Sequence, residues 1–82
     1  METIQSADGT RIAFDRSGDG PPIIIVAGAL NDRASCAPLA TLLSPQFTAI
    51  TYDRRARGDS GDTAPYAVER EIEDLDAVIA VA

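Results

Sequence analysis

Ile23-Ile24-Ile25-Val26 is an unbroken run of β-branched apolar residues, entered through Gly18-Asp19-Gly20-Pro21-Pro22 and left through Ala27-Gly28-Ala29-Leu30-Asn31-Asp32. Successive side chains of a strand point to opposite faces, so a half-buried strand alternates apolar and polar positions. A strand with no polar position is expected to be covered on both faces. Strands of that kind belong to parallel sheets with helices packed on each side. The run therefore predicts an α/β fold.

The flanking sequence agrees with that reading. Upstream, Thr3-Ile4-Gln5-Ser6 and Arg11-Ile12-Ala13-Phe14-Asp15-Arg16 alternate, and Asp8-Gly9 between them supplies the positive φ of a tight hairpin. Downstream, a short helix is expected from about Pro38 to Leu43, with Pro38 in its first turn and Ser44-Pro45 ending it. Phe47-Thr48-Ala49-Ile50-Thr51-Tyr52 alternates again and reads as a second sheet strand. A last helix is expected from about Tyr66 to the end, with Val68, Ile72, Leu75, Ile79 and Ala82 as one apolar stripe. Glu69, Glu71, Glu73, Asp74 and Asp76 crowd its first half, where the helix dipole favours negative charge. The order hairpin, strand, helix, strand, helix implies a mixed, mostly parallel sheet. Its ligand chemistry is expected in the loops beyond the carboxyl ends of the parallel strands.

Composition removes several functions. The 82 residues carry seven arginines, no lysine and 13 acids, for a net charge of −6, so nucleic acid and anionic membrane are poor partners. There is room for one small domain. With no His and a single Cys36, the chain holds no Ser-His-Asp or Cys-His triad, no internal disulfide and no cysteine zinc cage. No metal or cofactor is implied. Neither a signal peptide nor a membrane-spanning run is visible, and a lone thiol suits a cytoplasmic setting.

Four places invite chemistry. The Ala27–Asp32 loop turns at Gly28, and the N–H groups of Ala29 and Leu30 could hold a developing oxyanion, since the main chain donates whatever the side chain. The plainer reading of the same residues is a tight strand-to-helix turn. Arg57-Gly58-Asp59-Ser60 spells an adhesion tetrapeptide, but Gly, Asp and Ser are ordinary loop residues and nothing indicates export. Ser60 is not expected to be a nucleophile. The elbow G-x-S-x-G needs Gly two places on, where Asp62 stands, and no His or Lys is present to serve as base. Finally Asp53, Arg54, Arg55, Arg57, Asp59 and Asp62 could grip an anion through the arginines, or could satisfy one another and the loop backbone. The second reading is preferred.

Taken together, the segments resemble the N-terminal part of an α/β-hydrolase-fold protein. The resemblance rests on Asp8-Gly9-Thr10-Arg11-Ile12-Ala13 in the opening hairpin and on Gly18-Asp19-Gly20-Pro21-Pro22 before the apolar strand. It rests also on Tyr52-Asp53-Arg54-Arg55-Ala56-Arg57-Gly58-Asp59-Ser60-Gly61, which is similar to the family's Y-D-x-R-G-x-G-x-S, and on Glu73-Asp74-Leu75 within the closing helix. It covers nearly all of the chain. The resemblance implies that Ala29 offers a backbone N–H to the oxyanion hole, and that Gly28, Leu30, Asp53, Arg54, Arg55 and Gly58 shape the loops. Two positions depart from the pattern. Ala27-Gly28 replaces the family's usual His-Gly, keeping the backbone donor without the bracing side chain. Ala56 stands where Gly is usual, and a positive φ there would strain the loop by about 1 kcal/mol or more.

In this family the order is nucleophile, acid, His, with the nucleophile elbow after the next strand. The expectation is therefore an incomplete hydrolase domain spanning residues 1–82, ending before the elbow and inactive alone. Intact relatives are expected to cleave small-molecule esters or similar bonds with a serine-type nucleophile. The Ile23–Val26 strand is then expected at an open sheet edge, through which the chain could self-associate. The alternative function is a non-catalytic interaction module pairing through that edge. A weaker third is an anion-binding protein working through Arg54, Arg55 and Arg57.

Overall fold

The computed structural model describes residues 1–28 and 32–82. Strands β1 (Glu2–Gln5) and β2 (Arg11–Ser17) form the expected antiparallel hairpin. Gly9 takes φ +85° at its turn, and the Asp8 carboxylate accepts from the Thr10 N–H at 3.0 Å, the local bond that suits Asp to turns. Strand β3 (Pro22–Ile25) is parallel to β4 (Thr48–Tyr52), and β2 is antiparallel to β4, giving a mixed sheet in the order β1-β2-β4-β3. Between β3 and β4 lie a 3₁₀ turn, Arg33–Cys36, and helix α1, Ala37–Leu43, with a proline in its first turn. Helix α2 spans Val68–Val81. None of the helices described is long and apolar enough to cross a membrane.

One face of the sheet presents Ile12, Phe14, Ile50 and Tyr52, which bury Val78 of α2 completely, with Ile4, Ile24, Leu75 and Val81 packed around them. Each fully buried side chain of this size contributes roughly 1.5–3 kcal/mol. Ala13, Ala49 and Thr51 alternate onto the other face and are also buried. Small residues there let the 3₁₀ turn and α1 approach β4 closely. Ala13 bonds the loop after β4, its N–H donating to the Ser60 hydroxyl and its carbonyl accepting from the Asp53 N–H, so Ile12, Ala13 and Phe14 are buried in succession where the sequence alternation predicts every second residue.

Three expectations need correction. The strand ends at Ile25 rather than Val26; Ile23–Ile25 are only half-buried and Val26 is exposed, because β3 lies at the sheet edge with one neighbour. The last helix begins at Val68, not near Tyr66. Its buried face is also different: Val68, Ile72 and Ile79 of the expected stripe are 65%, 62% and 53% exposed, while Asp74 and Val78 are fully buried. Leu75 of the expected stripe does pack against the core, but the fully buried positions, Asp74 and Val78, each lie one residue before a stripe position, about 100° round the helix. That face carries Asp74, paired with the buried Arg55.

Candidate functional site

Because β3 and β4 are parallel, the residues after Ile25 and those after Tyr52 emerge at the same end of the sheet. Two arginine cages organise this end.

The first is built on Asp53, which directly follows β4 and is fully buried. Its Oδ1 accepts from the backbone N–H of Arg33 at 2.6 Å, and its Oδ2 accepts from the Arg33 guanidinium and, at 2.8 Å, from the Asp59 N–H. The same guanidinium reaches Asp15 Oδ2 at 2.7 Å and Asp59 Oδ2 at 2.9 Å. Burial alone would lower the Arg33 pKa, but hydrogen bonds to Asp15, Asp59 and Asp53 outweigh it and raise the pKa above the usual arginine value. Gly58 closes over this carboxylate with φ +52°, and a Cβ on it would overlap Asp53. Arg33, at the start of the 3₁₀ turn, is thereby fastened to the loop after β4.

The second cage surrounds Arg55, whose side chain is fully buried. Its Nε and NH2 donate to Asp74 Oδ2 and Oδ1 at 2.7 and 2.6 Å, a planar two-point pairing that suits guanidinium to carboxylate. NH1 donates to Asp8 Oδ2 at 2.9 Å. Hydrogen bonds to Asp74 and Asp8 hold the guanidinium pKa above its usual value, and the bond from Arg55 holds the Asp8 carboxyl below the usual carboxylate range. Arg54 pairs with Glu71 at 2.6 Å, and Arg57 donates to the Arg55 carbonyl oxygen at 3.1 Å.

These contacts join Asp53, Arg54, Arg55, Arg57 and Asp59 to carboxylates, guanidinium groups or backbone, and Asp62 is not among them. An anion at Arg54 or Arg55 would have to displace carboxylates already in place. Ser60 has a structural post: its hydroxyl accepts from the Ala13 N–H at 2.9 Å and donates to the Asp53 carbonyl oxygen at 2.6 Å, stitching the loop to β2. The adhesion-like Arg57–Ser60 stretch is bound into the same network. Ala56 does adopt positive φ, +66°, as the Gly usual there would. Gly28 is exposed where the chain leaves β3. Ala29, the expected oxyanion-hole donor, and Leu30, expected to shape the loop, lie outside the described residues.

Arg33 is the residue that the sequence reading missed. Only its neighbour carries a local signal, since Asp32 followed three places later by Ser35 is an N-cap pattern, and Asp32 Oδ1 indeed accepts from the Ser35 N–H at 3.3 Å.

No protein-family model matches the chain. Solved structures do. An α/β hydrolase from Sphaerobacter thermophilus is 66% identical over 98% of this chain, with a TM-score of 0.96. A thermophilic esterase from Thermogutta terrifontis is 26% identical over 98%, TM-score 0.85. The bottromycin epimerase BotH is 30% identical over 98%, TM-score 0.84. The chain spans about a third of their length, 31%, 31% and 34% respectively.

Proposed function

The chain belongs to the α/β-hydrolase fold family, and from that premise we propose that it supplies the sheet and the oxyanion loop of an enzyme that hydrolyses small-molecule esters or similar bonds. The observation that carries the proposal is the 66% identity, over nearly the whole chain, to the Sphaerobacter α/β hydrolase. In this reading the Ala29 backbone N–H faces the oxygen of the scissile carbonyl as it gains negative charge. Its removal costs on the order of 10²–10³ in kcat. A serine-type nucleophile, its acid and its histidine complete the site. The 82 residues hold no His or Lys to act as base, and the Ser60 hydroxyl already donates one hydrogen bond and accepts another, which supports the reading that the chain by itself turns over no ester. Its setting is the cytoplasm, in keeping with the single half-buried thiol of Cys36.

The test is a chimera in which residues 1–82 replace the matching part of the Sphaerobacter hydrolase, assayed on an ester which that enzyme hydrolyses. The expected result is turnover that Ala29→Pro, lacking the N–H, reduces at least about 100-fold. Turnover by the 82-residue chain alone, abolished by a substitution within it, would contradict the proposal.

A second reading is favoured by the position of β3 at the sheet edge. There the chain is a non-catalytic module that pairs with another strand, including that of a second copy. A defined dimer or complex on size-exclusion chromatography, together with an inactive chimera, supports this reading over the first.

A further inference from the structure

The sequence holds two Asp-Gly pairs, Asp8-Gly9 and Asp19-Gly20, and the fold treats them differently. Such pairs are chemically labile, because a glycine without Cβ leaves its amide nitrogen unhindered beside the aspartyl carboxyl. At the hairpin turn both reacting groups are held. The Asp8 carboxylate accepts from the Thr10 N–H at 3.0 Å and from Arg55 at 2.9 Å, and the Gly9 N–H donates to the Ser6 carbonyl oxygen at 2.9 Å. Arg55 also keeps that carboxyl ionised, below the usual carboxylate range, and a carboxylate is a poor target for a nucleophile. Asp19 stands instead in the bend that feeds β3, where Gly18, Asp19 and Gly20 are all exposed. Its carboxylate has no partner among the described residues. The Gly20 N–H donates to the Thr48 hydroxyl at 3.1 Å, a bond open to water.

We propose that Asp19 is a site of spontaneous isomerisation to isoaspartate, and that the Arg55 cage keeps Asp8 from the same fate. The Gly20 nitrogen, losing its proton, attacks the carbon of the neutral Asp19 carboxyl. An N–Cγ bond forms, the C–OH bond breaks, and the hydroxyl leaves with that proton as water. Water then adds to the five-membered imide. Cleavage of the new N–Cγ bond restores aspartate, whereas cleavage of the original peptide C–N bond leaves the chain running through the side-chain carbonyl. One water leaves and one returns, so the mass is unchanged. The product lengthens the main chain by one carbon at a tight place. Gly18 and Gly20 lie so close to the backbone of Ser44, Gln46 and Phe47 that a Cβ on either would overlap it. The Gly20 carbonyl accepts from the Thr48 hydroxyl at 2.8 Å, and the Pro21 carbonyl accepts from the Thr48 N–H at 2.9 Å. A longer chain cannot keep all of these contacts, so isoaspartate loosens the start of β3 from β4. The site lies at the opposite end of the sheet from the loops that follow β3 and β4.

The test ages the folded 82-residue chain at about pH 5, where a free aspartyl carboxyl is still partly protonated, beside the same chain unfolded in urea. Trypsin then places the two sites on separate peptides, residues 1–11 and 17–33, and electron-transfer fragmentation locates each isoaspartate. In the folded chain isoaspartate should form at least about tenfold faster at Asp19 than at Asp8, and in urea the two rates should be similar. After ageing, the Thr48 amide of the isomerised chain should exchange at least about tenfold faster. In Asp19→Glu, whose longer side chain would have to close a less favoured six-membered ring, that amide should stay slow. Equal rates at Asp8 and Asp19 in the folded chain, or isoaspartate at Asp19 in urea alone, overturn the proposal. An isomerised chain whose Thr48 amide is as protected as before overturns the loosening of β3.

Discussion

Arg55 and Arg33 both end in cages of carboxylates, and the two cages join different things. Arg55 binds Asp74 of α2 and Asp8 of the hairpin turn, so it ties a helix to the first strands. The pair is sealed, with neither Arg55 nor Asp74 exposed. Arg33 binds Asp53, Asp59 and Asp15, and two of its three partners reach solvent, with side chains 60% and 49% exposed. One cage stands inside the packing of the fold; the other stands at the sheet end where loops meet. The same chemistry is thus used once for global stability and once for local placement. Breaking the first should unfold the chain, and breaking the second should loosen a corner of it.

The largest effect is expected from Asp74→Ala, which leaves a buried guanidinium without its two-point partner. Removing one member of a buried pair costs about 3–5 kcal/mol, comparable with the whole stability of a domain this small. Thermal or urea unfolding of the variant should show most of the folding transition gone at 25 °C. A loss below about 1 kcal/mol would place this cage among ordinary surface pairs. Acid tests the same cage without mutation. Arg55 lowers the folded pKa of Asp8, and Arg54 lowers that of Glu71. A depressed carboxyl contributes stability that is fully present above its unfolded value, about 3.9 for Asp and 4.3 for Glu, and that disappears as pH falls toward the folded value. The melting temperature should therefore hold from pH 7 to about 5 and drop below about 4. Asp8→Asn should make that decline shallower.

Gly58→Ala attacks the other cage. The new Cβ would overlap the Asp53 carboxylate, and φ +52° disfavours any Cβ. Strain of about 1–2 kcal/mol and weakened bonds to a buried carboxylate together give an expected loss of about 2–4 kcal/mol. That is less than for Asp74→Ala. Hydrogen exchange should show the damage at Arg33 and Asp59 while the β2–β4 ladder stays protected. Ala56, at φ +66° but exposed, shows that the backbone conformation alone is tolerated in this loop. It is the contact with Asp53 that makes Gly58 different.

These two cages also mark where the sequence could be read and where it could not. Ile23–Val26 and Phe47–Tyr52 announced β3 and β4 to within a residue, because β-branched runs and alternation are local patterns. The hairpin was legible for the same reason, Asp8-Gly9 carrying its own turn chemistry. Helix α2 was legible as a helix but not in its orientation. Periodicity favoured Val68, Ile72 and Ile79, whereas the observed face holds Asp74 inward against an arginine 19 positions away. No window of one helix contains that partner. Arg33 was hidden similarly, its carboxylates lying 18, 20 and 26 positions distant, brought together by the parallel pairing of β3 with β4 and the antiparallel pairing of β2 with β4. Ala29 and Leu30 were singled out as possible backbone donors in the loop after the apolar strand, the resemblance to the hydrolase family giving that role to Ala29, and the described residues bound that stretch at Gly28 and Asp32. What was local was visible, and what depended on the sheet being formed was not.

The smallest effect is expected where the Arg33 cage meets water. Asp15 is 49% exposed, pairs with Arg33 at 2.7 Å and also lies 3.6 Å from the amino terminus. Exposed pairs contribute about 0.2–1 kcal/mol, because solvent screens them and ordering both side chains opposes them. Asp15→Asn should therefore lower stability by no more than about 0.5 kcal/mol, and the difference should fade as salt is raised to about 1 M. Asp53 and Asp59 remain to hold the guanidinium, so amide exchange at Arg33 should stay slow. If Asp15→Asn instead freed the Arg33 amide as fully as Gly58→Ala does, the cage would be held from its rim rather than from its buried member. The distinction between a sealed cage for the fold and a wet one for the loop would then have to be redrawn around β2.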